Sequence, residues 1–284
     1  VKLTAIQDLP GWKTLDAQKQ TLVQMAESYG MLLVGVRDQE GGKFESGWVL
    51  VNTGVVHQDH GDHGHWYYKP PAITDQRLDK DQGNPAHLYV YDGSFFLAND
   101  TKNGYTRIDP TRYTNGQKDQ PLFIQGGGNH ITLAVVDGKV GYSTWIDGGG
   151  PNKGRVDVTP IKDGTRCEPA YSITLPTGAI HGAATAAGKV FFAPAAGLCW
   201  VQADLTVSAK PEQVQIHHID LGKDNDKPRR TGAFVTHGRY VLCVTGQAPQ
   251  SQLVILDAAV SQPTPQFVSL AGASGTRPVT PIVV

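Results

Sequence analysis

The chain has 284 residues, a formal net charge of −1, 39% hydrophobic residues and 18% charged residues. These values indicate a globular protein and argue against a disordered chain, a nucleic-acid-binding surface or an anionic-membrane surface. The sequence contains no run of about 18 apolar residues, which is the length that a transmembrane helix requires.

Pairs of short β-rich runs joined by a turn recur along the chain. The first pair comprises residues 30–36 and 48–53. Four later pairs each surround an Asp-Gly, Gly-Lys or Gly-Arg turn, a pattern that predicts β-hairpins. These later pairs span residues 88–97, 132–143, 183–193 and 233–245. Only residues 15–29 have a pattern that fits a helix as well as it fits a strand plus a loop.

A third β-rich run follows each later hairpin and completes a repeat of about 40–50 residues with three or four strands, as in β-propeller blades. We therefore predict an all-β fold in which residues 1–284 form a single β-propeller domain of roughly five blades. A β-sandwich of two packed sheets is the alternative fold.

The two ends of the sequence bear on how such a propeller closes. Residues 1–6 are predicted as a lone outer strand and residues 280–284 as the start of an inner strand. A blade shared by the two termini would then be short of strands. The sequence is therefore consistent either with a small propeller that closes irregularly or with an incomplete piece of a longer propeller.

A histidine-rich tract follows the strand predicted at residues 48–53, and we expect it to form a loop between blades at residues 57–66. Four histidines and two aspartates fall within nine residues of this tract. Neutral imidazole binds zinc, copper and nickel, so the tract predicts a metal site, with a solvated polar loop as the alternative. Gly61 and Gly64 allow the backbone to fold the side chains around one ion. The candidate ligands are His57, His60, Asp62, His63 and His65.

Three further histidines, named the blade histidines here, are His87, His130 and His181. Each lies six to eight residues before the turn glycine of its own blade, at or just before the start of an innermost strand. Innermost strands line the central channel of a propeller, so we predict that these three imidazoles and an unidentified fourth ligand hold zinc. Because the offsets of six, eight and seven residues do not share one parity, a bulge or a turn of variable length must bring them into register. Three unrelated histidines are the alternative.

The three cysteines indicate no metal site, because Cys167, Cys199 and Cys243 form no Cys-x-x-Cys pair. They are either three free thiols or one disulfide and one thiol.

The sequence also lacks the motifs of common enzyme classes, including His-Glu-x-x-His, Gly-x-Ser-x-Gly and the phosphate-binding and dinucleotide-binding glycine loops. We therefore predict that the protein is not an enzyme. Two alternatives remain. One is a metal-dependent hydrolase or lactonase-like propeller that uses the same channel site. The other is an interaction propeller with incidental histidines.

Several segments resemble the AztD family of periplasmic zinc metallochaperones. The segment DHGDHGHW at residues 59–66, which follows VNTG, is similar to the acidic, histidine-rich loop of that family. The likeness continues in PAHLYVYDG at 85–93, GNHITLAVVDGKV at 128–140 and IHGAATAAGKVFFAPAAGLCWV at 180–201. It covers roughly residues 30–260, and DHGDH and IHGAAT are its most specific parts.

The resemblance implies a periplasmic β-propeller whose cargo is zinc and whose partner is the solute-binding protein of a zinc ABC transporter. It implies that the blade histidines form a tight channel site and that His60, Asp62 and His63 belong to the loop motif. Copper and nickel stay open as alternative metals. We expect a monomer without a nucleic-acid partner or a membrane span, whose signal peptide has been removed.

The chain departs from the family pattern in two places. It has His130-Ile131 where the family has a pair of histidines. The family chain also continues for further blades that contain more histidines. Both departures leave the number of ligands in the channel site open, and neither changes its expected location.

Overall fold

The computed structural model describes residues 9–41, 43–114, 120–247 and 249–270. In these ranges nearly all regular structure is β, and the strands form five four-stranded sheets and two separate hairpins. Consecutive four-stranded sheets of this kind are the blades of a β-propeller, so the predicted fold class is confirmed. No helix in the described ranges has the length and apolar character that a membrane crossing requires. The strands predicted at residues 1–6 and 280–284 lie outside the described residues.

The chain divides into two compact units, the first of which ends at Phe123. This unit contains the first two sheets, and a hairpin is inserted between the third and fourth strands of the first sheet. The first sheet and its hairpin consist of β1 (Gln20–Ser28), β2 (Met31–Asp38), β3 (Ser46–Asn52), β4 (Val55–Asp59), β5 (Gly64–Tyr68) and β6 (Ala72–Asp79). The second sheet consists of β7 (Pro85–Tyr91), β8 (Ser94–Asn99), β9 (Gly104–Ile108) and β10 (Leu122–Gln125), and helix α1 (Pro110–Thr114) precedes β10.

The second unit begins at Ile124 and contains three sheets and a small hairpin. The third sheet consists of β11 (Leu133–Val136), β12 (Val140–Thr144), β13 (Arg155–Pro160) and β14 (Tyr171–Thr174). The fourth sheet consists of β15 (Ala183–Ala186), β16 (Lys189–Phe192), β17 (Leu198–Gln202) and β18 (His217–Ile219). The small hairpin and the fifth sheet consist of β19 (Lys223–Asp224), β20 (Lys227–Pro228), β21 (Val235–His237), β22 (Tyr240–Thr245), β23 (Gln252–Asp257) and β24 (Gln266–Ser269).

The first strand of each sheet is its innermost strand. In the first unit β1 lies beside β7, and in the second unit β15 lies beside both β11 and β21. Innermost strands come together in this way when successive sheets pack as propeller blades. Residues just before or within these strands are therefore brought together within a unit.

Several middle strands, among them β3, β8 and β16, are buried on both faces, which explains why they are continuous apolar runs rather than alternating ones. In the first unit Trp48 of β3 and Phe95 of β8 are at most 1% exposed and belong to one cluster. In the second unit Tyr142 of β12 and Phe192 of β16 are likewise at most 1% exposed and belong to one cluster. The sheets of each unit therefore pack face to face through their apolar side chains.

The hairpin turns confirm two turn signals of the sequence, Asp92-Gly93 and Asp137-Gly138, and place the third one residue earlier, at Ala187-Gly188 instead of Gly188-Lys189. All three pairs have positive φ at both residues. That geometry matches the twist of the flanking strands. By contrast, the helical alternative for residues 15–29 is wrong, because β1 pairs with β2 over most of that segment.

Candidate metal-binding sites

His130 and His181 lie next to each other in the second unit. His130 precedes β11 and His181 precedes β15, and both side chains are half-buried. Their ring centroids are 5.1 Å apart, and one ring nitrogen of each lies within 4.8 Å of the other. Two nitrogens that bind one zinc ion tetrahedrally at 2.0–2.1 Å are about 3.4 Å apart. Because the two nitrogens lie within 4.8 Å of each other, rotation of the rings can bring them to that separation.

A backbone carbonyl orients the His181 ring. His181 Nδ1 lies 2.9 Å from the carbonyl oxygen of Gly232. A carbonyl oxygen only accepts hydrogen bonds, so Nδ1 carries the proton and Nε2 carries the lone pair. Metal-binding histidines have this arrangement, in which the second ring nitrogen donates to a carbonyl or carboxylate. The tautomer of His181 is thus the one that binds a metal through Nε2.

A buried carboxylate holds the glycine-rich loop that precedes His130. Asp157 on β13 is 1% exposed. It accepts four hydrogen bonds of 2.6–2.9 Å, from Gly127 N, Trp145 Nε1, Arg155 Nε and Ser172 Oγ. Because Gly127 is only three residues before His130, these bonds fix the approach of the chain to that ligand.

Thr132 connects the segments that carry the two histidines. Its Oγ1 atom accepts a hydrogen bond of 3.1 Å from the backbone N–H of Gly182, the residue after His181. The same hydroxyl lies 2.8 Å from Thr144 Oγ1 on β12. Thr132 is 2% exposed, so this network is shielded from water.

His87 belongs to the first unit and lies within β7. The pairing of β7 with β8 shifts between Pro85 and Leu88, so His87 is in a β-bulge. The unequal offsets of the blade histidines predicted a bulge or a turn of variable length, and His87, whose offset is six residues, lies in such a bulge. The ring of His87 lies 6.0 Å from that of Tyr89.

The histidine-rich tract is a hairpin and not the loop between blades that the sequence predicted. Strands β4 and β5 pair from Val55 opposite Tyr68 to Asp59 opposite Gly64, and the hairpin lies within the first sheet, between β3 and β6. β-branched and aromatic residues at its base, including Val55 and Tyr68, favour strands. The tract therefore has a defined register, which a flexible loop would lack.

Three exposed imidazoles gather at the tip of this hairpin, and we call His60, His63 and His65 the tip histidines. Their ring centroids are 5.1–5.3 Å apart. Asp62 Oδ1 lies 2.7 Å from His63 Nδ1, so this carboxylate orients the His63 ring. The tip is closed by a hydrogen bond of 2.9 Å from His60 N to His63 O.

His57 is separated from the tip histidines by the alternation of the strands. It pairs with Trp66, whereas His65 pairs with Gln58, so His57 and His65 point to opposite faces of the hairpin. The His57 ring packs on Trp66 with centroids 4.4 Å apart. The structure thus brings together three of the four histidines that the sequence placed in one loop site.

The fold is similar to that of known proteins. A crystal structure of AztD from Citrobacter koseri matches with a TM-score of 0.58 and 14% identity, over 87% of this chain and 61% of that one. The apo form of the same protein matches with a TM-score of 0.56 and 14% identity, over 87% and 62%. A protein from Lactobacillus plantarum matches with a TM-score of 0.51 and 13% identity, over 87% and 69%.

This chain therefore has an AztD-like fold and spans about three fifths of the length of the two AztD chains. At such low identity the similarity concerns the fold alone. No protein-family model matches the chain, and no curated protein matches it by sequence.

The other histidines outside the two candidate sites have different surroundings. The His217 ring stacks on Trp200 with centroids 3.8 Å apart and an interplanar angle of 6°. His218 Nε2 lies 3.1 Å from the carbonyl oxygen of Ala196. His237 is exposed at the end of β21.

The three cysteines are buried free thiols, which settles the question that their number left open. Burial raises the pKa of the Cys199 and Cys243 thiols to about 12. A thiol with so high a pKa is protonated at neutral pH and is a poor metal ligand.

Sequence reasoning missed the residues that hold the histidines in place. No motif marks Asp157, Thr132 or Gly232 in the sequence. Their hydrogen-bond partners lie 2 to 51 positions away along the chain. The turn spacing that located the histidines carries no signal for such non-local contacts.

Proposed function

We propose that the protein is a metallochaperone that binds one zinc ion through the three blade histidines. The observation that carries this proposal is the His130–His181 pair, whose ring nitrogens lie within 4.8 Å and one member of which is oriented by a carbonyl group. Each blade histidine is half-buried and offers one ring nitrogen. In this proposal His87 supplies the third ligand, and a further side chain completes the tetrahedral coordination that zinc prefers.

The AztD-like fold and the likeness of the sequence segments support a role in zinc handling. Periplasmic location, a monomeric state and delivery to the solute-binding protein of a zinc ABC transporter are parts of the same proposal. The cargo is released and not consumed, so the protein needs a site that holds the ion and a route by which the ion leaves.

The tip histidines are the proposed exit route. They are exposed, and Asp62 adds negative charge beside them. Ligands of this kind at the end of a projecting hairpin are accessible to an acceptor protein. Zinc can then pass through shared coordination, without release of the free ion.

Metal content tests the proposal. The purified protein is treated with a chelator and reloaded with zinc, and its zinc is counted by mass spectrometry. We expect one or two ions per chain in the wild type and one fewer in the triple variant His87→Ala, His130→Ala, His181→Ala. The variant His237→Ala is the matched control, because it removes an exposed imidazole outside both sites, and its zinc content should be unchanged.

Wild-type protein without bound zinc after reloading would overturn the proposal. Reloading with copper or nickel in parallel identifies the preferred metal. An exchangeable water on the bound ion, observed by X-ray absorption, would favour the alternative of a metal-dependent hydrolase, because catalytic zinc keeps an open position.

A further inference from the structure

We propose that Thr132 is a positioning residue of the zinc site, whose hydroxyl group holds the backbone beside His181 against the segment that carries His130. This inference rests on the proposed zinc-binding function. It concerns a residue that neither composition nor motif distinguishes.

The backbone of Thr132 is itself fixed by its neighbour Thr144. The N–H of Thr132 donates to Thr144 Oγ1 at 3.2 Å, and its carbonyl oxygen accepts from the N–H of Thr144 at 3.0 Å. Thr144 is completely buried in β12. The hydroxyl of Thr132 is thus presented from a rigid part of the third sheet.

That hydroxyl reaches the fourth sheet at Gly182, next to His181. Gly182 has a φ of +149°, and a Cβ atom there would lie 3.1 Å from Ala193 Cβ and 3.2 Å from Gly232 O. The segment at Gly182 is therefore packed closely between its neighbours. The bond from Gly182 N to Thr132 Oγ1 joins this segment to the one that carries His130, two residues before Thr132.

Loss of the hydroxyl leaves the N–H of Gly182 buried without its acceptor. A buried polar group without a partner is unfavourable, so the segment is expected to shift toward water or another acceptor. The His181 ring then moves relative to His130. Metal sites depend on such supporting contacts, and their removal typically weakens metal binding by about 10-fold to 100-fold.

The test compares zinc affinities of Thr132→Val, Thr132→Ser and wild type, measured by competition with a chelator well below the melting temperature. We expect about a 10-fold or greater loss for Thr132→Val and wild-type affinity for Thr132→Ser, which keeps the hydroxyl. The cobalt(II) form of Thr132→Val should also show weaker visible absorption. That readout reports distorted coordination, which a loss of stability alone would not produce.

Thr53→Val is the matched control. Thr53 Oγ1 likewise accepts from a backbone N–H, that of Val55, and donates to a backbone carbonyl, that of Gly30. These contacts lie in the first unit, whereas His130 and His181 belong to the second. The control should bind zinc as the wild type does.

Wild-type affinity and cobalt absorption in Thr132→Val would overturn the inference. If that variant does not fold, hydrogen exchange of the Gly182 amide in the wild type decides the matter. Zinc loading should slow this exchange at least 10-fold, and an unchanged rate would overturn the inference. Failure of wild type and Thr53→Val to bind zinc would instead refute the proposed function.

Discussion

The buried thiols show how burial controls the chemistry of single side chains in this protein. With a pKa of about 12, Cys199 and Cys243 have a thiolate fraction of about 10⁻⁴ at pH 8. We predict that native protein does not react with a thiol reagent at pH 8, whereas protein unfolded in guanidinium chloride reacts at all three cysteines. Rapid labelling of Cys199 or Cys243 in the native state, detected by mass spectrometry, would contradict this expectation.

The raised pKa values of the Cys199 and Cys243 thiols also determine how the free energy of unfolding changes with pH. The folded pKa of each thiol lies above the unfolded value of 9.0, so the folded state retains its protons longer. The stabilisation from these groups is complete below about pH 9 and is lost as the pH rises toward about 12. The melting temperature of the unlabelled protein, measured at a series of pH values, should fall across this range.

Single residues also show where prediction from sequence ends. The blade histidines were predicted as a set because each lies six to eight residues before a turn glycine, and turns are local features. Asp157 was not found, because three of its four donors, Gly127, Trp145 and Ser172, come from other segments and reach it only in the folded chain. Supporting contacts of this kind depend on long-range packing, which no local pattern encodes.

At the scale of the elements, two hairpin turns allow the cost of their backbone conformation to be tested with two opposite substitutions. Asp137 and Ala187 are exposed and have φ values of +51° and +47°. Asp and Asn tolerate the left-handed region, whereas it costs other L-residues about 1–2 kcal/mol. We predict that Ala187→Asn raises and Asp137→Ala lowers the free energy of unfolding by about 0.5–1 kcal/mol each. Denaturant unfolding measures both, and shifts of the same sign would refute the argument.

The hairpin β4–β5 shows why element type was harder to predict than element position. Its strands were missed because the polar histidines and aspartates dominate the tract. The flanking Val55-Val56 and Trp66-Tyr67-Tyr68 carry the strand signal, since β-branched and aromatic residues favour pleated surfaces. Recognition of the hairpin matters for function, because strand alternation decides which histidines share a face.

At the scale of the whole molecule, the repeat of turns was sufficient to predict the fold class and the number of four-stranded sheets in the described residues. Repeated turns are visible because every blade needs the same hairpin geometry. How the sheets close on one another is not encoded locally, and the alternatives of a small and an incomplete propeller therefore remained. This chain spans about three fifths of the length of the two AztD chains.

The proposed transfer of zinc from the blade histidines through the tip histidines involves the whole molecule, and it can be measured as a rate. Zinc-loaded protein is mixed with the apo form of a periplasmic zinc solute-binding protein, and zinc transfer is followed by stopped-flow fluorescence. We predict that the triple variant His60→Ser, His63→Ser, His65→Ser transfers zinc about 10-fold more slowly, because the ion must then dissociate before capture. A chelator in place of the acceptor gives the rate of simple dissociation.

The variant His57→Ser is the matched control for transfer, because it removes an imidazole of the same hairpin from the opposite face. Its transfer rate should equal that of the wild type, and the blade histidines of both variants should remain loaded. Deletion of residues 59–65 should slow transfer as much as the triple variant does. If the deletion leaves the rate unchanged, zinc leaves by another path, and the tip histidines have no part in delivery. If His57→Ser slows transfer equally, the hairpin acts through its general charge and not through a site on one face.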